Sequence, residues 1–288
     1  MYNGILVVNK PSGISSHGVV ARLRRILGEK KIGHGGTLDP MACGVLPVFA
    51  GRATRAAGCV QEGGKSYTAD MRLGLVTDTQ DTSGTILEEH AALCTREDVE
   101  AALAAFRGEI SQLPPMYSAV SVGGVRLYRL ARQGVEVERM PRTVHVYRLE
   151  LAGVRENGDY ILKIDCSKGL YVRTLIDSLG RALGCGAAMS ALCRTRAGIF
   201  TFDEALTLDE IEQMHAAGTL SAQFLCADRL FSAFPQFHAD SAACARLKNG
   251  QHIPLPAPEG MVRIYGPEGF LGIAQVQHGI MKLEKSFY

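Results

Sequence analysis

Residues 33–48 read "GHGGTLDPMACGVLPV" and hold one acidic side chain, Asp39, among glycines and prolines. Pro40 biases Asp39 away from a helix and toward an extended or turn conformation. The glycines at 33, 35 and 36 allow close backbone approach or a positive φ. An aspartate in such a turn can cap local backbone groups, or it can face a pocket and take part in chemistry. The stretch by itself leaves both interpretations open.

Two common kinds of site fit this stretch poorly. A metal site is disfavoured because His34 and Cys43 lack a second pair of ligands at a suitable spacing. A phosphate-binding loop is disfavoured because "GHGG" lacks the Lys-Ser/Thr ending of a P-loop. A functional aspartate in a pocket needs a cation to keep it ionised, and Arg173 is one candidate. The lone carboxylate therefore indicates nucleophilic or acid–base work rather than cofactor chemistry.

The composition is that of a globular protein. The chain has 288 residues, 47% of them hydrophobic, which is enough for one large domain or for a large and a small one. No apolar run approaches the roughly 18 residues of a membrane helix, and no signal-like start is present, so we expect a cytoplasmic protein. The formal net charge is only +2, so total charge does not identify a partner.

The cysteines are scattered, without a CxxC pair or a short Cys/His pair, which argues against a zinc site or a thioredoxin-like motif. We predict buried, reduced thiols, and we assign Cys43 to packing rather than catalysis. The eight cysteines are at positions 43, 59, 94, 166, 185, 193, 226 and 244.

Local charge is more informative than total charge. Residues 22–31, "RLRRILGEKK", hold five basic residues against one glutamate, and residues 107–142 hold six arginines against three glutamates. Such patches suit phosphate backbones, although a solvated, salt-bridged helix face explains them as well. Arg126, Arg129 and Arg132 recur every three residues, which on a helix would place them along one side.

Helical periodicity and capping signals predict several helices. Apolar residues recur at helical spacing between a cap at Ser15 or Ser16 and a terminator at Gly28. Thr95 with Asp98, and Thr207 with Glu210, have the spacing of capping boxes that begin helices over 95–107 and from 207. Residues 166–187, "CSKGLYVRTLIDSLGRALGCGA", pass from a short strand into a helix, so Tyr171 and Arg173 should lie at the junction.

Alternating patterns predict strands. Residues 66–73 alternate cleanly, and 144–166 reads as a hairpin centred on the Asn157-Gly158 pair. Residues 108–143 interrupt this order with prolines, tyrosines and arginines, and are predicted to be an excursion from the sheet. After about 230, short strands over 261–265, 270–276 and 280–287 predict a small all-β module that is adequate in size if it packs on its neighbour.

Four ordered motifs together resemble one family. "KPSGISS" at 10–16, "GHGGTLDPMACGVLPV" at 33–48, "KSYTADMRLGLVTDTQDTSG" at 65–84 and the stretch at 166–187 are similar to the motifs of the TruB family of bacterial tRNA pseudouridine-55 synthases. The resemblance runs in register over roughly residues 3–230, and the tail resembles the family's PUA-like domain.

The resemblance implies an α+β architecture. It implies a pseudouridine synthase fold over 1–230, a mixed, mainly antiparallel bent sheet with a central cleft, and a small all-β PUA-like RNA-binding domain over 231–288. It also implies isomerisation of the T-loop uridine at position 55 of tRNA to pseudouridine, without cofactor or metal and without an obligate protein partner, and possible action as a tRNA-folding chaperone. Residues 112–142 match the family's RNA-gripping thumb, so the arginines at 126, 129 and 132 are expected to face RNA phosphates.

The resemblance also implies roles for single residues. Asp39 matches the essential aspartate, Tyr67 the active-site tyrosine that stacks on the base and is implicated in proton transfer, and Arg173 the arginine that pairs with the aspartate. The expected substrate-side positions are His34, which orders the flipped-out nucleotides, Leu192 in the apolar active-site position, Tyr171, and the first-motif pair Lys10 and Pro11, which braces the catalytic loop.

Several alternatives remain at this stage. An ionised Asp39 could attack C6 of the base, attack C1′ of the ribose, or remove the C2′ proton to give a glycal. The chain could instead be an RNA-binding or tRNA-folding module without chemistry, although a pure binder has no use for this set of Asp, Tyr and Arg. It could also isomerise another uridine or another RNA.

Overall fold

A computed structural model describes residues 2–61, 63–254 and 258–288. Most of the chain's strands fall in two large sheets. In chain order the strands are β1 (Gly4–Lys10), β2 (Ile32–His34), β3 (Cys43–Ala50), β4 (Lys65–Leu73), β5 (Leu75–Thr77), β6 (Ile86–Glu89), β7 (Gly108–Gln112), β8 (Ser121–Val122), β9 (Val125–Arg126), β10 (Arg142–Val154), β11 (Tyr160–Cys166), β12 (Ala187–Ala197), β13 (Phe200–Thr201), β14 (Gln236–His238), β15 (Ile253–Pro254), β16 (Gly260–Gly266), β17 (Gly269–Gln277) and β18 (Ile280–Ser286).

The helices lie between these strands. They are α1 (Ser16–Leu27), α2 (Ala57–Gln61), α3 (Arg96–Leu103), α4 (Leu127–Ala131), α5 (Val172–Ala182), α6 (Leu208–Ala216) and α7 (Ser241–Lys248). The three predicted capping signals are confirmed. The Ser15 side chain accepts from the backbone of Gly18, and Thr95 and Thr207 form complete capping boxes.

The first large sheet has nine strands and positions the candidate site. Its main order is β1-β3-β12-β4-β11-β10-β7, with β2 paired to β3 and β13 to β12. Each pairing is antiparallel except that of β12 with β3. The predicted α+β class with a mixed, mainly antiparallel sheet is therefore confirmed. The central strands β12 and β4 bring residues that are about 125 apart in sequence into register.

Helices pack on the sheet through their apolar faces. Helix α5 buries Val172, Leu175, Ile176 and Leu179 against the strands of the sheet centre, as its periodicity predicted. Helix α1 packs with α6 over β1 and β3, and its Arg22 bonds Asp209 and Glu212 of α6 at 2.7 and 3.1 Å. For Arg22, the salt-bridged helix face is thus the correct interpretation of the basic patch at 22–31.

The predicted hairpin and excursion are both present. Strands β10 and β11 pair antiparallel, but the turn spans residues 155–159, with Gly158 at φ 86° and a backbone bond from Arg155 to Asp159 of 2.8 Å. The left-handed residue is Gly158 alone, so the turn is longer than a two-residue Asn-Gly turn. The excursion lies between the paired strands β7 and β10 and contains only β8, β9 and the five-residue helix α4.

The C-terminal residues form a second sheet of order β14-β16-β17-β18-β15 with a core of its own. Residues 261–265, 270–276 and 280–286 lie in strands as predicted, but the sequence analysis missed helix α7. The module packs on the first sheet through an aromatic cluster in which Phe287 lies 5.9 Å from Phe231 and 5.3 Å from Phe270, between ring centroids. Packing on its neighbour therefore supplements its small core.

Candidate active site

The loop that carries Asp39 connects β2 to β3, and three side chains of the first motif bind its backbone. Ser16 Oγ donates to the Leu38 carbonyl at 3.0 Å and accepts from the Leu38 amide at 2.8 Å. Lys10 Nζ donates to the Pro40 carbonyl at 3.2 Å, and Ser12 Oγ donates to the Met41 carbonyl at 2.7 Å. The first motif, residues 10–16, thus fixes the backbone on both sides of Asp39.

Arg194 holds the same loop from the opposite side. This fully buried guanidinium donates to the carbonyls of Val45 at 2.8 Å, Gly36 at 3.0 Å and Thr37 at 3.4 Å. The backbones of β3 and β12 approach so closely here that position 44 requires glycine: its φ is 101°, and a Cβ would lie 2.2 Å from the backbone carbonyl oxygen of Arg194. Arg194 was not expected from sequence, because nothing in a strand's alternation shows which carbonyls its side chain will reach.

Asp39 is paired with Arg173, as the resemblance implied. Arg173 Nε lies 2.9 Å from Asp39 Oδ2, and the rest of the guanidinium donates to the carbonyls of Thr79 at 2.9 Å and Tyr117 at 2.7 Å. The Arg173 side chain is 5% exposed, whereas that of Asp39 is 34% exposed. The carboxylate therefore faces solvent in the cleft, while its cation is fixed behind it.

A second carboxylate, Asp81, shares this arginine. Arg173 Nη1 lies 3.7 Å from Asp81 Oδ2, and Asp81 Oδ1 accepts from Thr79 at 2.8 Å and from Ser83 at 2.5 Å. Burial raises the pKa of Asp39 above its usual value; Arg173 opposes this shift and Asp81 adds to it. Asp81 was not expected from sequence, although it lies within the motif at 65–84.

Tyr67 lies on β4, opposite Arg194 in the pairing of β4 with β12. Burial raises the pKa of Tyr67 to about 12, although the nearby Arg194 cation, which is also a hydrogen-bond partner, lowers it. The hydroxyl is therefore protonated at neutral pH. It can donate a hydrogen bond to a substrate, and it is a poor base in the free protein.

Asp39, Tyr67, Arg173 and Arg194 line one cleft of about 1050 Å³, whose wall also includes Leu192, Tyr171, His34 and Arg126. Tyr171 caps α5, and its backbone is clamped by the buried amide of Gln112, which accepts from the Tyr171 amide at 2.7 Å and donates to its carbonyl at 3.0 Å. Gln112 was not expected from sequence. It links the end of β7 to the helix that carries Arg173.

His34 contributes a half-buried imidazole at the wall of the cleft. Its Nδ1 is buried and, within the described residues, has no hydrogen-bond partner. Burial lowers the pKa of His34, and the nearby Arg194 cation adds to that effect. The ring is therefore neutral at physiological pH and has a free polar atom for a ligand.

The remaining predicted residues lie outside the cleft. Lys10 is fully buried behind the catalytic loop, where burial lowers its pKa to about 8, and Pro11 is exposed on the same side. Neither residue lines the cleft, and the Lys10 contact with the Pro40 carbonyl fits the expected bracing of the loop, so a substrate contact by this pair stays a prediction. Arg129 and Arg132 are exposed on the excursion beyond the cleft.

The arginines of the excursion do not form one helical stripe. Helix α4 spans only Leu127–Ala131, so Arg126 precedes it on β9 and Arg132 follows it. Arg132 lies over the Tyr128 ring at 5.7 Å, and Arg126 donates to the Ala119 carbonyl. The prediction of a single helical face is wrong because the helix is one turn long, although all three side chains are exposed.

The thiols only partly match the expectation of buried cysteines. All eight are free, but only Cys166, Cys185 and Cys244 are buried, and Cys226 is exposed. Among the described residues, no group of three His, Cys, Asp or Glu side chains is placed to hold a metal ion. None of the helices in the described part of the chain has the length and apolar character needed to cross a membrane.

Three models of known protein families match this sequence. The family model "TruB family pseudouridylate synthase (N terminal domain)" matches residues 24–172. "tRNA pseudouridylate synthase B C-terminal domain" matches 173–231, and "Pseudouridine synthase II TruB, C-terminal" matches 235–282.

Curated relatives match over most of their length. The chain is 39% identical over 281 residues to a tRNA pseudouridine synthase B of Bacillus pumilus, covering 93% of this chain and 91% of the relative. It is 42% identical over 280 residues to the protein of the same name from Pseudomonas fluorescens, covering 95% and 92%.

Two solved structures have a similar fold. A Cbf5-Nop10-Gar1 complex contains a chain that superposes with a TM-score of 0.74 at 28% identity, over 99% of this chain and 85% of that chain. An H/ACA RNP bound to a substrate RNA containing 2′-deoxyuridine contains one with a TM-score of 0.72 at 26% identity, over 99% and 85%.

Proposed function

Since the chain belongs to the TruB family and isomerises a tRNA uridine to pseudouridine, we propose that Asp39 is the group that starts this reaction. The ion pair of Asp39 with Arg173 is the observation that carries the assignment. It supplies an ionisable carboxylate that faces a cleft, next to a protonated tyrosine and an apolar wall formed by Leu192.

The reaction requires such a cleft. The N1–C1′ bond must break, the uracil must rotate, and a C5–C1′ bond must form, so the base has to leave the stack and stay trapped while it is detached. Each route open to Asp39 needs it ionised: attack at C6, attack at C1′, or removal of the C2′ proton. Arg173 keeps the carboxylate ionised against the effect of burial, and it fixes one oxygen so that the other is directed at the nucleotide.

The neighbouring residues suit the trapping of a detached base. Tyr67 offers a ring face for stacking and a hydroxyl that keeps its proton, so it donates rather than accepts at the start of the reaction. Leu192 excludes water from the same wall. The Nδ1 atom of His34, which has no hydrogen-bond partner among the described residues, supports a role for this ring in binding a nucleotide that leaves the loop with the target base.

We propose the T-arm stem-loop as the part of tRNA that enters the cleft. Single-stranded loops with splayed bases are the usual targets of sequence-specific RNA recognition. The excursion at 112–142 stands at the cleft mouth with Arg126 in its wall and Arg129 and Arg132 exposed beyond it, where phosphates of the stem would pass. In this proposal the enzyme acts on tRNA in the cytoplasm and needs no protein partner. The same contacts between the excursion and the tRNA support refolding of tRNA.

Treatment of an unmodified tRNA transcript tests the activity and the position together. Pseudouridine is mapped by carbodiimide-dependent stops in primer extension, and the expected result is one new stop at the T-loop uridine. Stops at another uridine would show that the enzyme modifies a position different from the proposed one. No stop with a folded, tRNA-binding protein would favour the module without chemistry.

A further inference from the structure

Cys43 on β3 and Cys193 on β12 lie opposite each other on adjacent strands. They are register partners in the parallel pairing of β3 with β12, so their side chains project from the same face of the sheet. Adjacent strands lie about 4.8 Å apart, within the 4.4–6.8 Å range of Cα separations that a disulfide spans.

The pair is accessible from outside the catalytic cleft. Both cysteines are half-buried and line a second cavity of about 470 Å³ together with Ser12, Thr68 and Ser190. Along β12, Arg194 lines the catalytic cleft, Cys193 lines the second cavity, and Leu192 lines both. A small oxidant can therefore reach the thiols without entering the substrate site.

The electrostatic setting favours one thiolate. The hydrogen bond from Cys193 lowers the pKa of the Cys43 thiol; the Lys10 cation adds to that effect, and burial opposes it. Hydrogen bonding to Cys43, burial and the charge of Cys43 all raise the pKa of Cys193. Cys43 thus provides an attacking thiolate, and Cys193 provides a neighbouring thiol that can then attack the oxidised Cys43 sulfur.

We propose that Cys43 and Cys193 form an oxidation-sensitive dithiol that closes to a disulfide in the presence of hydrogen peroxide and slows the isomerase. The Cys43 thiolate attacks one peroxide oxygen, the O–O bond breaks, and the departing hydroxide takes up a proton to become water. Cys193 sulfur then attacks the Cys43 sulfenic sulfur, and the S–O bond breaks. Hydroxide leaves with the Cys193 proton as a second water. Two electrons pass from the two sulfurs to the peroxide.

The slowing follows from the packing beside the pair and rests on the proposed role of Asp39. Disulfide closure draws the two Cβ atoms to about 3.8 Å, but Gly44 already lies against the Arg194 carbonyl. Closure therefore strains the backbone and displaces β3 and β12 at the point where Arg194 binds the loop that carries Asp39. A displacement of the loop that carries Asp39 is expected to reduce the single-turnover rate at least about ten-fold.

The chain offers a matched control pair. Cys94 Sγ lies 3.8 Å from Cys185 Sγ, so proximity alone would oxidise this pair as well. Burial raises the pKa of Cys94, however, and both Cys185 and the nearby Asp98 carboxylate raise it further. The Cys94–Cys185 pair should therefore stay reduced at peroxide concentrations that close Cys43–Cys193.

The test treats the full-length protein with hydrogen peroxide, blocks remaining thiols by alkylation, and maps peptides without reduction. The expected result is a linked pair of peptides containing Cys43 and Cys193, with a matching loss of single-turnover rate that dithiothreitol restores. Cys193→Ser should keep its rate under peroxide and give no link, and Cys94→Ser should respond like the wild type.

Two outcomes would overturn the proposal. One is that Cys43 and Cys193 remain unlinked while the protein is oxidised elsewhere, and the other is that they link without any loss of rate. Peptide mapping needs no activity, so it still tests the dithiol if the proposed role of Asp39 fails.

Discussion

Arg173 Nε lies 2.9 Å from Asp39 Oδ2, while the other nitrogens of the same guanidinium reach Asp81, the Thr79 carbonyl and the Tyr117 carbonyl. One buried cation thus fixes the carboxylate of the β2–β3 loop relative to residues 79–81 and to the excursion at 112–142. The position of Asp39 depends on segments that are distant in sequence.

Asp39→Asn should remove turnover and leave the fold and much of the tRNA affinity intact. Asparagine is nearly the same size but can neither act as a base nor attack as a carboxylate, so we expect the rate to fall at least about 100-fold. Single-turnover assays at saturating tRNA measure the effect, with thermal unfolding and filter binding as controls. Pseudouridine formed at a near-normal rate would remove Asp39 from its assigned role.

Arg173→Ala should damage catalysis far more than Arg129→Ala. Deleting the buried partner of a charge is costly, whereas losing an exposed phosphate contact is not, so we expect at least about 100-fold against about five-fold or less. The comparison uses single-turnover rates at saturating tRNA, where weaker binding no longer matters. Equal losses in the two variants would contradict the assignment.

The rate should fall on acidification at a pH above the usual aspartate range. Asp39 acts only when ionised, and burial raises its pKa from 3.8, so protonation removes activity at a higher pH than for an exposed aspartate. Asp81→Asn should move the midpoint to lower pH, because Asp81 raises the pKa of Asp39. Tyr67→Phe should leave the midpoint unchanged, because a hydroxyl with a pKa of about 12 does not titrate there. A midpoint at 3.8 or below would contradict this prediction.

Arg194→Lys should weaken both the fold and the chemistry. Lysine keeps the charge but cannot donate to three separated carbonyls, so we expect a loss of about 2–4 kcal/mol in the free energy of unfolding and a slower single turnover. Arg196→Lys is the matched control, because Arg196 donates to Ser66 and to the Gly198 carbonyl and does not touch the Asp39 loop. Equal slowing in both variants would show that the rate follows stability alone.

Arg129→Ala should make tRNA binding less sensitive to salt. Each phosphate contact that is lost lowers the slope of log affinity against log salt by about one unit. Arg22→Ala serves as the control, because Arg22 is paired with Asp209 and Glu212 on α6. An unchanged slope for Arg129→Ala would assign that arginine to a solvated face.

Local features of this fold could be predicted from sequence because their causes are local. The caps at Ser15, Thr95 and Thr207 and the alternation of β4 each depend on residues within one or two turns. Helix α7 was missed because its small residues, "SAACARLK", give a weak periodicity. Its capping residue, Asp240, accepts from the Ala243 amide and was the available signal.

The site was predictable only where a motif marked it. Asp39, Tyr67 and Arg173 lie within motifs, and the structure places them together in one cleft. Asp81, Gln112 and Arg194 were missed because their roles depend on which carbonyl or amide a long side chain reaches after folding. Neither periodicity nor composition carries that information.

The clamp on the β2–β3 loop binds main-chain atoms. Lys10, Ser12, Ser16 and Arg194 contact carbonyls and amides that every amino acid provides. An exposed side chain of the loop such as Thr37 is therefore free to vary over evolution, while the clamp residues and Gly44 are not. In a deep mutational scan, exposed loop positions should thus tolerate substitution and the clamp residues should not, with Asp39 and the buried Leu38 and Ala42 as the intolerant positions inside the loop.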